Sequence, residues 1–234
     1  MIYNMRLNNP IKKDLISWDI KSWYPILDYW EKNSKLEFCN TKSLELGAYR
    51  GGLSLWLALN GSNVICSDIV NPLQKASKLH SRYQISGSLN YEVIDALKIP
   101  YENEFDIVVF KSILGGIGRM DKIELQQKAI TEIYKALKSN GELFFAENLN
   151  ASPLHQFFRK NFVPWGKEWR YVTIDDIKNF LQSFSEVQVK TRGFWGAFGW
   201  TEFFRKLFAY ADQVVFNHII ISKWNYIVYG IARK

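Results

Sequence analysis

The sequence predicts an α/β protein built on a doubly wound, mostly parallel sheet. Three observations carry that expectation. Strand-like and helix-like runs alternate five times between residues 41 and 148. That order lays parallel strands side by side with helices on both faces. The run "FDIVVF" at 105–110 is apolar with a single interruption, as expected of a strand covered on both sides. Two early apolar runs end in acids, Glu45 and Asp68, and glycines follow the first at 47, 51 and 52. In such sheets ligands bind outside the carboxyl ends of the strands, where the chain order reverses.

The elements follow in order. Residues 12–33 read as one or two helices, with Pro25 marking a break or a helix start. A buried strand spans 41–47 and a helix 51–60. The second strand is "NVICSD" at 63–68, and the next helix, 71–85, carries Pro72 in its first turn, where a missing N–H costs nothing. Strands three and four span 90–96 and 104–112. A long helix covers 121–139, with Asp121 as its N-cap and "SNG" as its stop. "ELFFAEN" at 142–148 is strand five. The last third differs: a helix at 173–183 capped by Thr173 and Asp175, then strand-like runs at 186–194 and 224–232. Between those runs, Trp200, Phe203, Phe204, Leu207, Phe208, Ala211, Val214 and Val215 share one helical face.

The bulk composition narrows the function. A chain of 234 residues suits one domain with a full core. The net charge of +7 favours anionic partners, yet it is spread along the chain rather than gathered into a basic block, which speaks against nucleic acid. Cys39 and Cys66 form no CxxC pair and no His cluster has metal spacing, so neither a disulfide framework nor a metal centre is expected. The N-terminus lacks the apolar core of a signal peptide, and no window reaches the roughly 18 apolar residues of a membrane span. The chain reads as cytoplasmic, with peripheral membrane contact left open.

The glycine turn separates two cofactor chemistries. A dinucleotide fingerprint is G-x-G-x-x-G; here Tyr49 stands where the middle glycine would be. An acid ahead of the first glycine, as Glu45 is, suits a cationic ligand better than a pyrophosphate.

Here the sequence resembles the class I S-adenosylmethionine (SAM)-dependent methyltransferases of the small-molecule type. "ELGAYRG" keeps the acid and two glycines of the family's first motif, and Tyr49 is its departure. "VIDALKIPYENEFDIVVF", "LKSNGELFFAEN" and "WNYIVYGIARK" fall in the family's order. "FKSILGGIG" at 110–118 looks like that of bacterial methyltransferases tied to surface-glycan or natural-product synthesis. The resemblance implies a Rossmann-like, seven-stranded sheet with an antiparallel last strand. It implies one domain over 1–234: a helical cap (1–40), a cofactor-binding core (41–150), and a substrate-side insertion with a closing hairpin (151–234).

The implied cofactor is SAM, with S-adenosylhomocysteine as product. The implied contacts are Glu45, Gly47, Ala48, Gly51, Asp68 on the ribose, Ile69, Asp95 and Ala96 beside the adenine, and Lys111. The expected partner is a small-molecule acceptor, a hydroxyl of a sugar, glycan or lipid-linked intermediate.

Plainer readings stand beside these. Acids often end strands as solvated groups or caps, and glycines often only start helices. Glu147 and His155 are the candidate bases for a hydroxyl acceptor and Lys111 is a further catalytic candidate, against a solvated strand end for Lys111 and a surface helix histidine for His155. His80 and His218 read as structural. The aromatic segment 157–171, with Trp18, Trp23 and Tyr24, reads equally as a lid or as cover for the sheet. Two alternatives remain: an NAD-linked oxidoreductase, and a non-catalytic partner that docks through the 200–215 helix.

Overall fold

A computed structural model describes residues 9–164, 166–195 and 222–234. The helix expected at 200–215, and His218, lie outside the described residues. Seven strands form one sheet in the order β3-β2-β1-β4-β5-β7-β6. They are β1 (Lys42–Leu46), β2 (Asn63–Asp68), β3 (Ser88–Val93), β4 (Phe105–Lys111), β5 (Leu137–Asn148), β6 (Glu186–Arg192) and β7 (Ile227–Arg233). The first five run parallel, and β7 lies antiparallel between β5 and β6. From β1 the order runs to β2 on one side and to β4 on the other, so the switch point opens above the C-terminal ends of β1 and β4.

The helices are α1 (Asn9–Ile16), α2 (Ile20–Asn33), α3 (Gly52–Leu59), α4 (Leu73–His80), α5 (Leu114–Ile117), α6 (Ile123–Ala136), α7 (Pro153–Phe162) and α8 (Ile174–Phe180). Strand alternation divides the core between the two faces. Val108, Phe110, Leu143 and Phe145 pack with Ile130 and Ile133 of α6. Ile107, Val109 and Phe144 pack with Trp23, Ile26 and Trp30 of α2 and Trp56 of α3. Trp30 stacks on Phe144 at 5.6 Å and donates from Nε1 to the Gly230 carbonyl at 2.9 Å. Several of the tryptophans thus fasten the helical cap to the sheet. At the opposite edge, buried Glu142 pairs with Arg233 and accepts from Ser34 Oγ, tying the end of α2 to β5 and β7.

Several boundaries move for physical reasons. Pro25 lies inside α2 and breaks nothing. The chain turns earlier, at Ser17 and Asp19, which adopt φ of 69° and 44°. Asp121 does not cap α6; it sits in a 3₁₀ turn, and the capping position is Lys122. That helix stops at Ala136 because Leu137 is extended and pairs with Phe105. The "SNG" turn is a bulge within β5, where the register jumps from Phe105↔Leu137 to Ile107↔Glu142. At α8 the partner of Thr173 is Asp176 rather than Asp175: each side chain accepts from the other residue's backbone N–H. The short α5 was not among the expected elements, and the ten-residue α7 was expected only as a helix carrying His155.

Candidate active site

The turn after β1 is shaped by close approaches. Gly47 has φ of +66°, and a Cβ there would fall 2.3 Å from Ile113 Cγ2 in the loop after β4. Gly51 has φ of +74°, with the His80 ring where a Cβ would go. At Gly52 a Cβ would meet the Leu15 carbonyl at 2.1 Å, so α1 lies directly on the start of α3. Tyr49 takes φ of 50°. The loop therefore keeps a glycine-like path at the departing position, at a cost of about 1–2 kcal/mol for a non-glycine residue.

His80 anchors the turn. Its Nε2 bonds the Gly51 carbonyl at 2.8 Å, so it carries the proton, and Nδ1 bonds Tyr91 Oη at 2.8 Å. The structural role expected for this histidine fits those partners.

Asp68 closes β2 beside this turn. Its Oδ2 accepts from the Tyr49 N–H at 2.8 Å, while no hydrogen bond to Oδ1 forms among the described residues. The Ile94 N–H donates to the Asp68 carbonyl at 3.1 Å, which draws Asp95 and Ala96 alongside. Asp95 is exposed and accepts from the Leu97 N–H at 2.8 Å. Ile69 and Val70 present apolar side chains to solvent, 68% and 73% exposed. One carboxylate oxygen, two glycine-rich bends and an apolar shelf thus meet at one end of the switch point.

At the other end is a charge cluster. Glu45 is buried, and its Oε2 accepts from the Ser54 N–H at 2.7 Å and from Ser54 Oγ. It holds the first turn of α3, where negative charge is favoured. Burial pushes its pKa up to about 7, against the Ser54 bonds that hold it down. Glu147 is fully buried, accepting from the Leu114 N–H at 2.7 Å and the Asn148 N–H at 2.8 Å. Burial lifts it likewise to about 7.

Lys111 stands between them at the end of β4, its Nζ 4.7 Å from the centre of the Trp23 ring. Burial pushes its ammonium below the ordinary lysine value, while Glu147, Glu45 and Asp19 hold the proton on. Trp23 Nε1 is buried with no hydrogen-bond partner among the described residues. A cation and an orphan N–H side by side leave a place for an acceptor group.

His155, in α7, is 1% exposed. Its Nε2 lies 2.9 Å from the Phe194 carbonyl, which can only accept, so Nε2 carries the proton. Its Nδ1 is 2.7 Å from Ser152 Oγ, which then donates. Burial pushes the pKa down to about 4. Both ring nitrogens face protein groups, an arrangement that positions α7.

Of the aromatic segment, Trp169 lies against Gly115 and Gly116 of α5. Phe157, Phe162 and Trp18 are exposed, and Trp23 is core. Sequence reasoning passed over Asp19, Ser54 and Arg159, none of which carries a motif.

Residues 44–145 match the family model Methyltransf_11, described as a methyltransferase domain. The match runs from β1 into β5, over the cofactor-binding part of the sheet, and supports a class I SAM-dependent methyltransferase. No curated protein sequence matches it. Among solved structures, the chain resembles the Haemonchus contortus phosphoethanolamine N-methyltransferase 2 bound to S-adenosyl-L-methionine. The TM-score is 0.63 and the identity 15%, over 91% of this chain and 52% of that one. The chain therefore spans about half the length of that relative. The N-methyltransferase NodS from Bradyrhizobium japonicum WM9 matches with TM-score 0.58 and 15% identity, over 97% and 98% of the two chains.

The [4+2]-cyclase SpnF matches with TM-score 0.61 and 16% identity, over 90% of this chain and 80% of that one. At such identities the likeness shows the fold alone. A cyclase among the neighbours makes the point that fold does not fix the reaction.

Among the described residues there is no group of side chains able to hold a metal, and no helix long and apolar enough to cross a membrane.

Proposed function

We propose that the protein transfers the methyl group of SAM to a small-molecule acceptor, a hydroxyl of a sugar, glycan or lipid-linked intermediate. The observation that carries the cofactor assignment is the seat at the switch point. Asp68 offers an unshared carboxylate oxygen there, suited to ribose hydroxyls, beside the Gly47–Gly51 turn. Ile69 with Ala96 and Asp95 would flank the adenine. Ala48 packs beneath, its N–H on the Ser67 carbonyl at 2.9 Å. Trp23 Nε1 and Lys111 would take the carboxylate end of the amino acid, and Glu45 would favour its ammonium through charge rather than contact.

The cofactor supplies a methyl group on a sulfonium, already activated for in-line displacement. The chain's share is to hold the acceptor in line and exclude water, worth roughly 7–11 kcal/mol in favourable cases. A hydroxyl acceptor must also lose its proton. Glu147, with a pKa of about 7, suits that task near neutral pH. Lys111, partly exposed at the C-terminal end of β4, lies within electrostatic reach of Glu147; it would hand a proton to the Glu147 carboxylate as it takes up the hydroxyl proton, and so end as the ammonium it began as. His155 would act by positioning α7.

Calorimetric titration with S-adenosylhomocysteine, with NAD in parallel, tests the cofactor reading. Saturable heat with the first and none with the second is expected. The reverse pattern would establish the oxidoreductase alternative instead.

A further inference from the structure

Beyond the C-terminal ends of β4 and β5 lies a pocket of about 360 Å³, lined by Asn150, Gln156, Arg159, Arg170, Trp169 and Tyr171 among others. It adjoins the reacting edge: Leu149 and Asn150 continue directly from β5, and Trp169 packs on α5, which follows β4. Its two arginines are in opposite situations. Arg170 is spent. It forks onto Asp176 with two bonds of 3.1 Å, and it also bonds Asp121 at 3.1 Å and Gln126 Oε1 at 2.6 Å.

Arg159 has no carboxylate in bonding contact among the described residues. Its guanidinium lies 4.1 Å from the centre of the Tyr171 ring. Among the described residues only Nη1 is hydrogen-bonded, to the carbonyls of Leu149 and Asn150. Glu147 is within electrostatic reach but is itself held by the Leu114 and Asn148 N–H groups. Arg159 is half-buried, and its Nε and Nη2 are not sealed from solvent, so an anion arriving from outside can reach them. Its planar fork, oriented by stacking on an aromatic ring, fits carboxylate or phosphate oxygens. Asn150 and Gln156 add neutral amides to the same wall.

We propose that this pocket seats an anionic group of the acceptor, a phosphate or a carboxylate, on Arg159. The word acceptor rests on the methyl-transfer reading; the anion site itself does not. Anchoring a charged end here would leave the rest of the molecule to reach toward Glu147 and Lys111.

The test is calorimetric titration of the full chain with glycerol phosphate and with succinate, in low salt free of other multivalent anions. It is run on wild type, Arg159→Gln and Arg159→Lys, with S-adenosylhomocysteine titrated into each. At least one anion should bind wild type saturably, at least tenfold more weakly in R159Q and at an intermediate strength in R159K. Tighter glycerol phosphate identifies a phosphate acceptor, and tighter succinate a carboxylate one. Homocysteine-ligand affinity should be unchanged in both variants.

Absence of saturable anion binding to wild type, or affinity in R159Q within twofold of wild type, overturns the site. If R159Q does not fold, R159K decides: it keeps the charge but not the fork, and unchanged affinity overturns the proposal. Silence of the homocysteine ligand alone, with anion binding intact, removes the methyl-transfer reading and leaves the anion site standing.

Discussion

Replacing Asp68 by alanine is expected to weaken S-adenosylhomocysteine binding by at least about 100-fold while leaving the fold intact. Hydrogen bonds to a charged group contribute roughly 1.5–3 kcal/mol each, and a pair of ribose hydroxyls would lose two. Since about 1.4 kcal/mol is a factor of ten, the loss amounts to two decades or more. The stability cost is small because the described hydrogen bond to the side chain is a single one, from Tyr49 in an exposed turn. Asp68→Asn keeps an oxygen for that bond but loses the charge, so an intermediate loss is expected. Titration calorimetry of both variants, with thermal melts as the control, measures the effect. Wild-type affinity in the alanine variant would show that the ribose lies elsewhere.

The second large effect concerns the buried carboxyls. Glu147 has a folded pKa of about 7 against an ordinary 4.5. Between those values the folded chain binds more protons than the unfolded one. The contribution is therefore fully present below pH 4.5 and is lost as pH rises through 7. Glu45 acts in the same sense over the same window.

His155 acts in the opposite sense. Its pKa falls to about 4, so its contribution improves as pH climbs from there to its ordinary 6.5. Total stability therefore mixes opposing slopes, and a difference measurement separates them. Relative to wild type, Glu147→Gln should gain about 2–3 kcal/mol between pH 4.5 and pH 8, each pKa unit being about 1.4 kcal/mol. Urea unfolding of both proteins at the two pH values measures it. A difference independent of pH would mean that Glu147 titrates alike in the folded and the unfolded chain.

The parts of the fold set by local pattern were readable in the chain. The bounds of β2 fall where the apolar run and its closing acid place them, at Asn63–Asp68. The Tyr49 position illustrates a signal read as a departure. The expected glycine is absent, yet the backbone keeps the left-handed turn, and the Tyr49 N–H reaches Asp68.

What escaped was decided by distant partners. Leu137 leaves its helix because a strand edge at Phe105 is available to pair with it. Asp19 meets Tyr226 across 207 positions of sequence, and the acid cluster around Lys111 gathers residues from β1, β4, β5 and the α1–α2 turn. No spacing rule reports such meetings. Arg159 was invisible for a related reason: a lone arginine on a short amphipathic run carries no motif, and its lack of a bonded carboxylate among the described residues shows only beside Arg170, which is forked onto Asp176.

The central claim is that SAM lies along the Gly47–Gly51 turn and Asp68 at the switch point. Hydrogen–deuterium exchange with and without S-adenosylhomocysteine, and with NAD as the control, reads both binding and place. The expected result is slowed exchange over 46–54, 68–70 and 94–97 with the homocysteine ligand and none with NAD. Unchanged exchange over those segments, or protection there by NAD, would contradict the account.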